Sequence, residues 1–595
     1  MMLSKCESCN IHSMNLSAFI WSVADLLRGK YKPHEYGQVI LPFTVLRRMD
    51  CVLEPTKKAV LKESVKRQAS ATSVNHFLIR ASRSTFYNTS PMDLKAVVGD
   101  QDNIAINLST YLHSFSPNVK DIFDRFAFQS QIDRLAKADL LYLVTEKFST
   151  IDLHPDRVSN ADMGTIFEEL IRKFAEQSNE TAGDHFTPRE VIRLMVDLIF
   201  AEDDDVLSTP GVVRTIYDPT AGTGGMLSVA GEYLAEHNPD ARLTMFGQEL
   251  NDESYAICKA DMLIKGQDVA NIKPDDTLAN DGHAHQVFDY MLSNPPFGVE
   301  WKQSEKAVRS EHEQQGYNGR FGPGLPRISD GSLLFMLHLI KKMRPVVDGG
   351  SRFCIVQNGS PLFTGGAGSG ESEIRRYLLE SDLVEAIIAL PTEMFYNTGI
   401  STYLWIVTNK KLRKRKGKLQ LIDASGYWQR MRKSLGSKRK ELSPEHIKEI
   451  TRLFCNFKEV RQPAPDGTVV PISLIFPNAS FGYRTITVER PMRDATGKIV
   501  LGTKGKMKGK PMPNTDLRDT ENVSLSEDVQ SYFEREVLPH APDAWIDPEK
   551  TKVGYEIPFN RHFYVFKPPR ELAEIDADLK VVTDRILTMI AGLSA

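Results

Sequence analysis

The chain has 595 residues, of which 41% are hydrophobic and 25% are charged, as in a soluble globular protein of several domains. No apolar run approaches the roughly 18 residues of a membrane span, and the first residues lack the apolar core of a signal peptide. A cytoplasmic location with no membrane attachment is therefore predicted. The formal net charge of −3 disfavours a protein that binds a long DNA site without a partner. Any DNA contact therefore requires either local clusters of basic residues or a partner that supplies them.

The first part of the chain has the periodicity of α-helices. Apolar residues recur every three or four positions in residues 16–28, 32–55 and 91–148, and Pro42 is predicted to kink the second of these stretches. Residues 1–155 are predicted to form a helical N-terminal domain, which serves either as a cap over cofactor or DNA or as a scaffold. Cys6 and Cys9 form one CxxC with no second pair, so no metal site is predicted.

A short segment made of His185, Phe186, Thr187 and Pro188 precedes the next helical pattern. Thr187 is predicted to cap that helix, with Pro188 at its first position and Glu190 completing a capping box. Capping does not explain the bulky ring of Phe186 at the mouth of the helix. We interpret this segment as a cover over the methionine end of a bound cofactor.

A glycine-rich turn follows residues 212–217, which are predicted to form a strand. A strand, a glycine turn and a helix form a site for a nucleoside-type cofactor, because glycine lacks a Cβ and the helix start offers free N–H groups. Leu227 stands where the dinucleotide pattern GxGxxG has its third glycine, which disfavours hydride chemistry. The predicted cofactor-binding residues of this turn are Asp218, which would hold an amino-acid ammonium group, and Thr220, Gly222, Thr223, Gly224 and Gly225.

Acidic residues after the next two units complete the predicted cofactor site. Glu249 lies roughly 20 residues beyond the glycine turn, where an acid accepts hydrogen bonds from ribose hydroxyls. Asp276, in the unit 272–278, is preferred over Asp275 as the acceptor for an adenine amine. The alternative is that Asp275 and Asp276 are solvated loop acids.

A rigid turn, Ser293-Asn294-Pro295-Pro296-Phe297, follows an apolar run that is predicted to be a buried strand. The Asn294 amide oxygen and the Pro295 carbonyl can accept both protons of an exocyclic amine, which frees the nitrogen lone pair for attack. Phe297 is predicted to stack on a base that has been flipped out of a duplex. The predicted catalytic residues are therefore Asn294, Pro295, Pro296 and Phe297, and the alternative is a turn that only ends the strand.

Strands alternate with helices over residues 331–408, which predicts a doubly wound α/β sheet covered on both faces. The predicted catalytic domain spans residues 156–420, and residues 421–595 form a C-terminal region. The polar stretch 298–330 is predicted to be a mobile lid or a DNA-contacting loop. The basic stretch 410–440 is either a phosphate-contacting surface or a solvated face.

Apolar residues near the end of the chain repeat in alternating steps of three and four, which is the pattern of a heptad seam. They are Leu572, Ile575, Leu579, Val582, Ile586, Met589 and Leu593. The tail either folds back onto its own domain or pairs with helices of another subunit. A sheet already covered on both faces favours pairing.

Five motifs, in this order, resemble those of the modification (M) subunits of Type I restriction-modification systems. They are HFTPREV at 185–191, DPTAGTGGML at 218–227, GQELND at 247–252, DDTL at 275–278 and SNPPFG at 293–298. The resemblance covers most of the chain. It implies an S-adenosylmethionine-dependent methyltransferase sheet with a helical N-terminal domain and a C-terminal helical tail, which methylates N6 of a flipped adenine in double-stranded DNA.

The resemblance also implies partners. The tail would dock on a specificity (S) subunit, with two M subunits for each S subunit, and cleavage would belong to a separate restriction (R) subunit. The resemblance places recognition of the DNA sequence on the S subunit.

Other reactions were weighed on the residues themselves. Cytosine-C5 methylation needs a cysteine nucleophile, usually after a proline, and no cysteine among Cys51, Cys258, Cys354 and Cys455 follows one. Methylation of N4 of cytosine or of a glutamine side chain stays open on chemistry alone, because both also present a planar NH2 group. A catalytically silent module would have lost Asn294 and Phe297, which are intact.

Overall fold

The structure of the protein is a computed structural model. It describes residues 19, 22–67, 74–160, 162–163, 166–167, 170, 187–201, 203–396, 398–435, 437–463, 467–505, 508–566 and 571–593. Within these ranges, no helix has the length and apolar character needed to cross a membrane.

The N-terminal domain is helical, as predicted, because apolar side chains at helical spacing pack around one core. Its helices are α1 (Tyr36–Leu53), α2 (Lys57–Arg67), α3 (Asn75–Ser82), α4 (Leu94–Val98), α5 (Ile104–His113), α6 (Pro117–Arg125), α7 (Phe128–Lys137) and α8 (Leu141–Thr150). Helix α1 continues through Pro42. The buried guanidinium of Arg48 fastens this helix to the following segment by donating to the carbonyl oxygens of Leu153 (2.5 Å) and Val158 (2.7 Å).

The described residues between 213 and 477 form a ten-stranded sheet in the order β11-β12-β8-β6-β7-β5-β4-β1-β2-β3, so the sheet extends past residue 420 into the predicted C-terminal region. Strands β3, β2, β1, β4 and β5 run parallel, and β7 is antiparallel between β5 and β6. The strands are β1 (Val213–Asp218), β2 (Arg242–Glu249), β3 (Ile272–Pro274), β4 (Tyr290–Ser293), β5 (Arg352–Gln357), β6 (Val384–Ala389), β7 (Tyr403–Thr408), β8 (Lys418–Asp423), β11 (Val460–Pro463) and β12 (Val469–Pro477).

Alternate side chains of the central strands enter two separate cores, one on each face of the sheet. In β5, Cys354 and Val356 belong to the core shared with the N-terminal domain, whereas Phe353 and Ile355 belong to the other core. The predicted doubly wound α/β sheet is thus confirmed. The helices of this region are α9 (Arg189–Phe200), α10 (Asp204–Ser208), α11 (Gly225–His237), α12 (Asp252–Ile264), α13 (Glu305–Gln315), α14 (Ser332–Lys341), α15 (Ser360–Phe363), α16 (Gly370–Glu380) and α17 (Pro444–Asn456).

The prediction of a polar loop over residues 298–330 is wrong. The segment contains α13, and Trp301 and Phe321 are buried in the core on one face of the sheet. The two buried rings are 20 residues apart and follow no helical or strand periodicity. The sequence pattern therefore gave no sign that this segment packs against the sheet.

The C-terminal region contains smaller units. Strands β9 (Gln429–Leu435) and β10 (Lys438–Glu441) form a hairpin. A second sheet has the order β14-β13-β15, with β13 (Gly482–Glu489), β14 (Asp519–Ser524) and β15 (Trp545–Tyr555). The remaining helices are α18 (Val529–Tyr532), α19 (Phe559–Phe563) and α20 (Leu572–Leu593).

Candidate active site

The order of the strands decides where a ligand can bind. Strand β1 lies between β2, which follows it in the chain, and β4, so the chain changes direction across the sheet at β1. In open parallel sheets a crevice forms at such a point, outside the carboxyl ends of the strands. Asp218 ends β1, Glu249 ends β2 and Ser293 ends β4, so these predicted site segments meet at one edge.

The glycine turn after β1 is held against β2 and opens toward the crevice. The Ala221 N–H donates to the Gln248 carbonyl oxygen at 3.0 Å. Gly222 has φ +53°, and a Cβ added there would meet no atom within 4 Å. Gly224 has φ +84°, but its added Cβ would lie 3.0 Å from the Cys258 Sγ atom of α12. Gly222 therefore borders open space, whereas Gly224 permits close packing of the turn on a helix.

Asp218 is a buried carboxyl group, 1% exposed, at the base of this turn. Its Oδ1 atom accepts hydrogen bonds from the Thr220 backbone N–H (2.9 Å) and hydroxyl (3.2 Å). Burial raises the pKa of Asp218 to about 7, against the opposing effect of the Thr220 hydrogen bonds. A buried carboxyl group whose charged form is disfavoured suits a ligand that brings a positive charge, such as an ammonium group.

Glu249 lies across the turn from Asp218 and already has two backbone partners. Its Oε2 accepts from the Gly222 N–H at 2.7 Å, and its Oε1 accepts from the Asn251 N–H at 2.8 Å. Carboxylate oxygens are acceptors of the kind that ribose hydroxyls require. These bonds fix the orientation of the carboxylate at the edge of the turn.

Asp276 follows β3 at the same edge of the sheet, beside Glu249. Its Oδ1 accepts from the Leu278 N–H at 2.9 Å, and its Oδ2 accepts from the Ser304 hydroxyl. The neighbouring Asp275 has φ +113° and is exposed. The Asp275 carboxylate accepts from the Asp276 N–H at 2.8 Å and from the Asn280 amide at 2.6 Å, whereas the contact of Asp276 with Ser304 ties Asp276 to the segment before α13.

The turn at residues 293–297 is hydrogen-bonded to the glycine turn after β1. The Ser293 and Thr220 hydroxyl oxygens lie 3.0 Å apart, and Thr220 also bonds Asp218. Phe297 is 8% exposed and meets Phe395 edge to face, with ring centroids 6.2 Å apart. This contact fixes the plane of the Phe297 ring beside the turn.

The predicted capping box at Thr187 is wrong. Pro188 occupies the N-cap position of α9, and this end of the helix has no side-chain cap. The Thr187 hydroxyl instead accepts a hydrogen bond of 2.9 Å from the Asn294 amide nitrogen, and Glu190 pairs with Lys438. His185 and Phe186 lie outside the described residues, so the predicted cover over the cofactor stays a prediction.

A polar network that the sequence did not reveal supports the Asp276 loop from behind. Arg320 donates to the carbonyl oxygens of Thr277 (2.7 Å) and Leu278 (2.9 Å) and pairs with Glu311 of α13 at 2.7 Å. It also contacts His338 Nδ1 at 3.2 Å. Because a guanidinium only donates, Nδ1 must accept and the histidine is neutral, in agreement with a pKa that burial lowers well below its usual value.

Comparisons with known proteins identify the family of the chain. The N-6 DNA Methylase family matches residues 158–472, more than half of the chain, and the HsdM N-terminal domain family matches residues 16–148. The chain belongs to the N-6 DNA methylase family. Transfer of a methyl group from S-adenosylmethionine to N6 of adenine in DNA is therefore its reaction, and the alternatives of N4-cytosine and glutamine methylation are not favoured.

Individual relatives extend the likeness. The Type I restriction enzyme MjaIX methylase subunit of Methanocaldococcus jannaschii is 27% identical over 74% of this chain and 76% of that protein. The HindI methylase subunit of Haemophilus influenzae is also 27% identical, over 44% of this chain, which spans only 54% of that relative.

Solved structures share the fold. The type I restriction-modification methyltransferase subunit of Streptococcus thermophilus has a TM-score of 0.59 at 21% identity and covers 79% of this chain and 97% of its own. A second solved structure concerns complex assembly and conformational transition of the type I R-M system, and one of its chains has a TM-score of 0.50 at 18% identity. The match covers 98% of this chain and 97% of that chain.

The residues at the sheet edge fit S-adenosylmethionine. Gly222 borders open space, as the close approach of a nucleoside requires, the Asp218 carboxyl group suits the ammonium of the methionine part, and Glu249 and Asp276 are carboxylates of the kind that ribose hydroxyls and an adenine amine require. When bound, this cofactor supplies an electrophilic methyl group.

Proposed function

We propose that this chain is the modification subunit of a Type I restriction-modification complex, with Asn294, Pro295, Pro296 and Phe297 as its catalytic turn. The hydrogen bond between the Ser293 and Thr220 hydroxyls, at 3.0 Å, carries the proposal. It joins the turn that would present the amine to the turn that would hold the methyl donor. A transfer reaction requires this proximity, because a methyl group passes directly from donor to nucleophile.

In the proposed mechanism a flipped adenine enters beside Phe297, whose ring plane is held by Phe395. The Asn294 amide oxygen and the Pro295 carbonyl oxygen accept the two protons of the exocyclic amine. These contacts withdraw the nitrogen lone pair from the ring, so that the nitrogen becomes nucleophilic. They strengthen as positive charge develops on that nitrogen, which stabilises the transition state more than the ground state.

The proposed cofactor roles follow the geometry of the edge. Asp218 would receive the ammonium group, Glu249 the ribose hydroxyls and Asp276 the adenine amine. The turn residues Thr220, Gly222, Thr223, Gly224 and Gly225 would shape the pocket, and His185, Phe186, Thr187 and Pro188 would border it.

We further propose that the C-terminal tail binds a specificity subunit. Along α20 the predicted seam residues from Leu572 to Met589 are exposed: Leu572 is 77% exposed, Leu579 58% and Met589 64%. An exposed row of apolar side chains at heptad spacing is a surface for partner helices. The assembly would contain two copies of this chain for each specificity subunit and a separate restriction subunit, and it would act on double-stranded DNA in the cytoplasm.

The test uses cells that carry this chain with its specificity partner. Sequencing of methylated bases should find N6-methyladenine at a defined DNA sequence, and it should vanish when either gene is removed. The Asn294→Ala variant should bind S-adenosylmethionine with unchanged affinity while its rate of methylation falls roughly 100-fold or more. Methylated cytosine in place of adenine, or a variant with full activity, would contradict the proposal.

A further inference from the structure

A two-stranded hairpin near the catalytic turn concentrates positive charge. It comprises β9 and β10, residues 429–441, and we refer to it as the basic hairpin. These residues include six lysines and arginines and a single acidic residue, Glu441. The whole chain has a net charge of −3, so the concentration is local.

One anchor of the basic hairpin is the loop that supports the catalytic ring. The Ser437 N–H donates to the Tyr396 carbonyl oxygen at 2.8 Å. The residue before Tyr396 is Phe395, which packs edge to face with Phe297. The hairpin is therefore attached one residue away from the side chain that holds the Phe297 ring in place.

A second anchor is the start of α9. Lys438 is 2% exposed and forms an ion pair with Glu190, in the first turn of this helix. The segment just before α9 contains Thr187, the hydrogen-bond partner of Asn294. The two anchors place the basic hairpin beside both segments that position the catalytic turn.

The basic residues of the hairpin differ in whether they pair with an acidic residue of this chain. Arg439 and Lys440 lie 3.7 Å and 3.9 Å from the Glu393 carboxylate. Arg430 and Arg432 are exposed, and among the contacts that the structure describes neither forms an ion pair. They occupy alternate positions of β9 and so share one side of the strand. Both guanidinium groups are thus available to an anionic partner.

We propose that Arg430 and Arg432 bind the phosphate backbone of DNA next to the flipped base. This inference rests on the proposed function, because that function brings DNA to the catalytic turn. Flipping a base breaks its stacking and pairing, and phosphate contacts beside the base hold the distorted backbone that results. Arginine suits this task, since its planar fork binds phosphate oxygens bidentately. Gln429 and Ser434 of β9 are also exposed and polar, and the exposed ring of the neighbouring Trp428 is covered by the Lys440 ammonium, which lies 4.4 Å from the ring centroid.

The test uses the full chain assembled with its specificity partner and compares two double variants. Arg430→Gln with Arg432→Gln removes two charges from the hairpin. Arg242→Gln with Lys341→Gln removes two charges from exposed residues at the start of β2 and the end of α14, at the opposite edge of the sheet from the site. Affinity is measured at several salt concentrations for a duplex with the target sequence and for a duplex without it. Binding of S-adenosylmethionine checks the fold.

The hairpin variant should bind both duplexes roughly tenfold more weakly, with equal loss for each, and its slope of log affinity against log salt should decrease by about two. The control variant should match the wild type in all of these measurements.

Two outcomes would overturn the inference. One is a hairpin variant that equals the control in affinity and salt slope. The other is a variant that no longer co-purifies with the specificity partner, which would assign the arginines to a protein interface. Failure of the proposed function is distinguishable, because then the wild-type assembly would itself leave adenine unmethylated.

Discussion

The amide nitrogen of Asn294 donates a hydrogen bond of 2.9 Å to the hydroxyl oxygen of Thr187, a residue 107 positions earlier in the chain. The bond fixes which end of the amide faces Thr187, so the amide oxygen is directed to the other side. A catalytic acceptor must present its oxygen to the substrate amine. Thr187 is therefore a positioning residue in the proposed mechanism.

Substitution of Thr187 should affect turnover more than binding. In Thr187→Val the hydroxyl is replaced by a methyl group of similar size, and the Asn294 amide can rotate. We expect kcat to fall roughly 10- to 100-fold, equivalent to about 1–3 kcal/mol, with little change in cofactor affinity. Thr187→Ser keeps the hydroxyl and should retain most of the activity. Single-turnover methylation and calorimetric binding of S-adenosylmethionine measure the two effects, and equal losses in both variants would contradict the positioning role.

Gly222 should be essential for cofactor binding because of the space above it. Gly222→Val would place two methyl groups where the nucleoside is expected. Gly266 is a matched control, since it also has a positive φ, +75°, and an added Cβ there would meet nothing within 4 Å. Both substitutions carry the backbone strain of a side chain at positive φ, about 1–2 kcal/mol. Only Gly222→Val should abolish S-adenosylmethionine binding in calorimetry, and equal affinities in the two variants would remove the glycine turn from the cofactor site.

Asp218 should make cofactor binding depend on pH. Its pKa of about 7 in the folded protein exceeds the ordinary value of 3.8, so the folded state binds more protons between these limits. Folding stability from this group is consequently present below about pH 4 and falls as pH rises toward 7. An ammonium ligand favours the ionised carboxylate and offsets this loss.

Affinity for S-adenosylhomocysteine, which has the same ammonium group and does not react, should therefore rise up to about tenfold per pH unit below pH 7 and level off above it. Calorimetry between about pH 5.5 and 8 measures this profile. Asp218→Asn should bind weakly and lose the dependence. A wild-type affinity that does not change over this range would refute the role of Asp218.

Removal of the C-terminal tail should prevent assembly with the specificity subunit but leave cofactor binding unchanged. Deletion of residues 570–595 removes α20, whose seam residues from Leu572 to Met589 are exposed, so the catalytic cores stay intact. The truncated chain should remain soluble and bind S-adenosylmethionine with wild-type affinity. It should fail to co-purify with the specificity subunit and to methylate specific sites. Retained co-purification would assign the tail another role, as would a joint loss of folding and cofactor binding.

Much of the catalytic sheet could be predicted from the sequence because its elements depend on local patterns. The predicted alternation of strands and helices over residues 331–408 is found, with strands at Arg352–Gln357 and Tyr403–Thr408. Strands that are buried on both faces are continuous apolar runs in the sequence. Such runs can be recognised without knowing which strands lie beside them in the sheet. The glycine turn could also be predicted, because positive φ angles favour glycine, and Gly222 and Gly224 adopt them.

The basic stretch 410–440 shows why the role of an individual charged residue could not be predicted from the sequence. Within it, Arg415 is buried and pairs with Glu385 at 3.3 Å, whereas Arg430 is exposed. Both are arginines in a run of similar charge. Only the position of each residue relative to the folded sheet separates a structural ion pair from an accessible cation.

The sequence by itself determined the strand and helix pattern, the glycine turn and the Asn-Pro-Pro-Phe turn, because these depend on local periodicity and on the conformational limits of glycine and proline. The tertiary structure alone decided which distant side chains meet. Thr187 was expected to cap a helix, but its hydroxyl bonds Asn294, and Glu190 pairs with Lys438 instead of completing a capping box. A polar side chain bonds the best partner within a few ångströms in space, and chain order does not specify that partner.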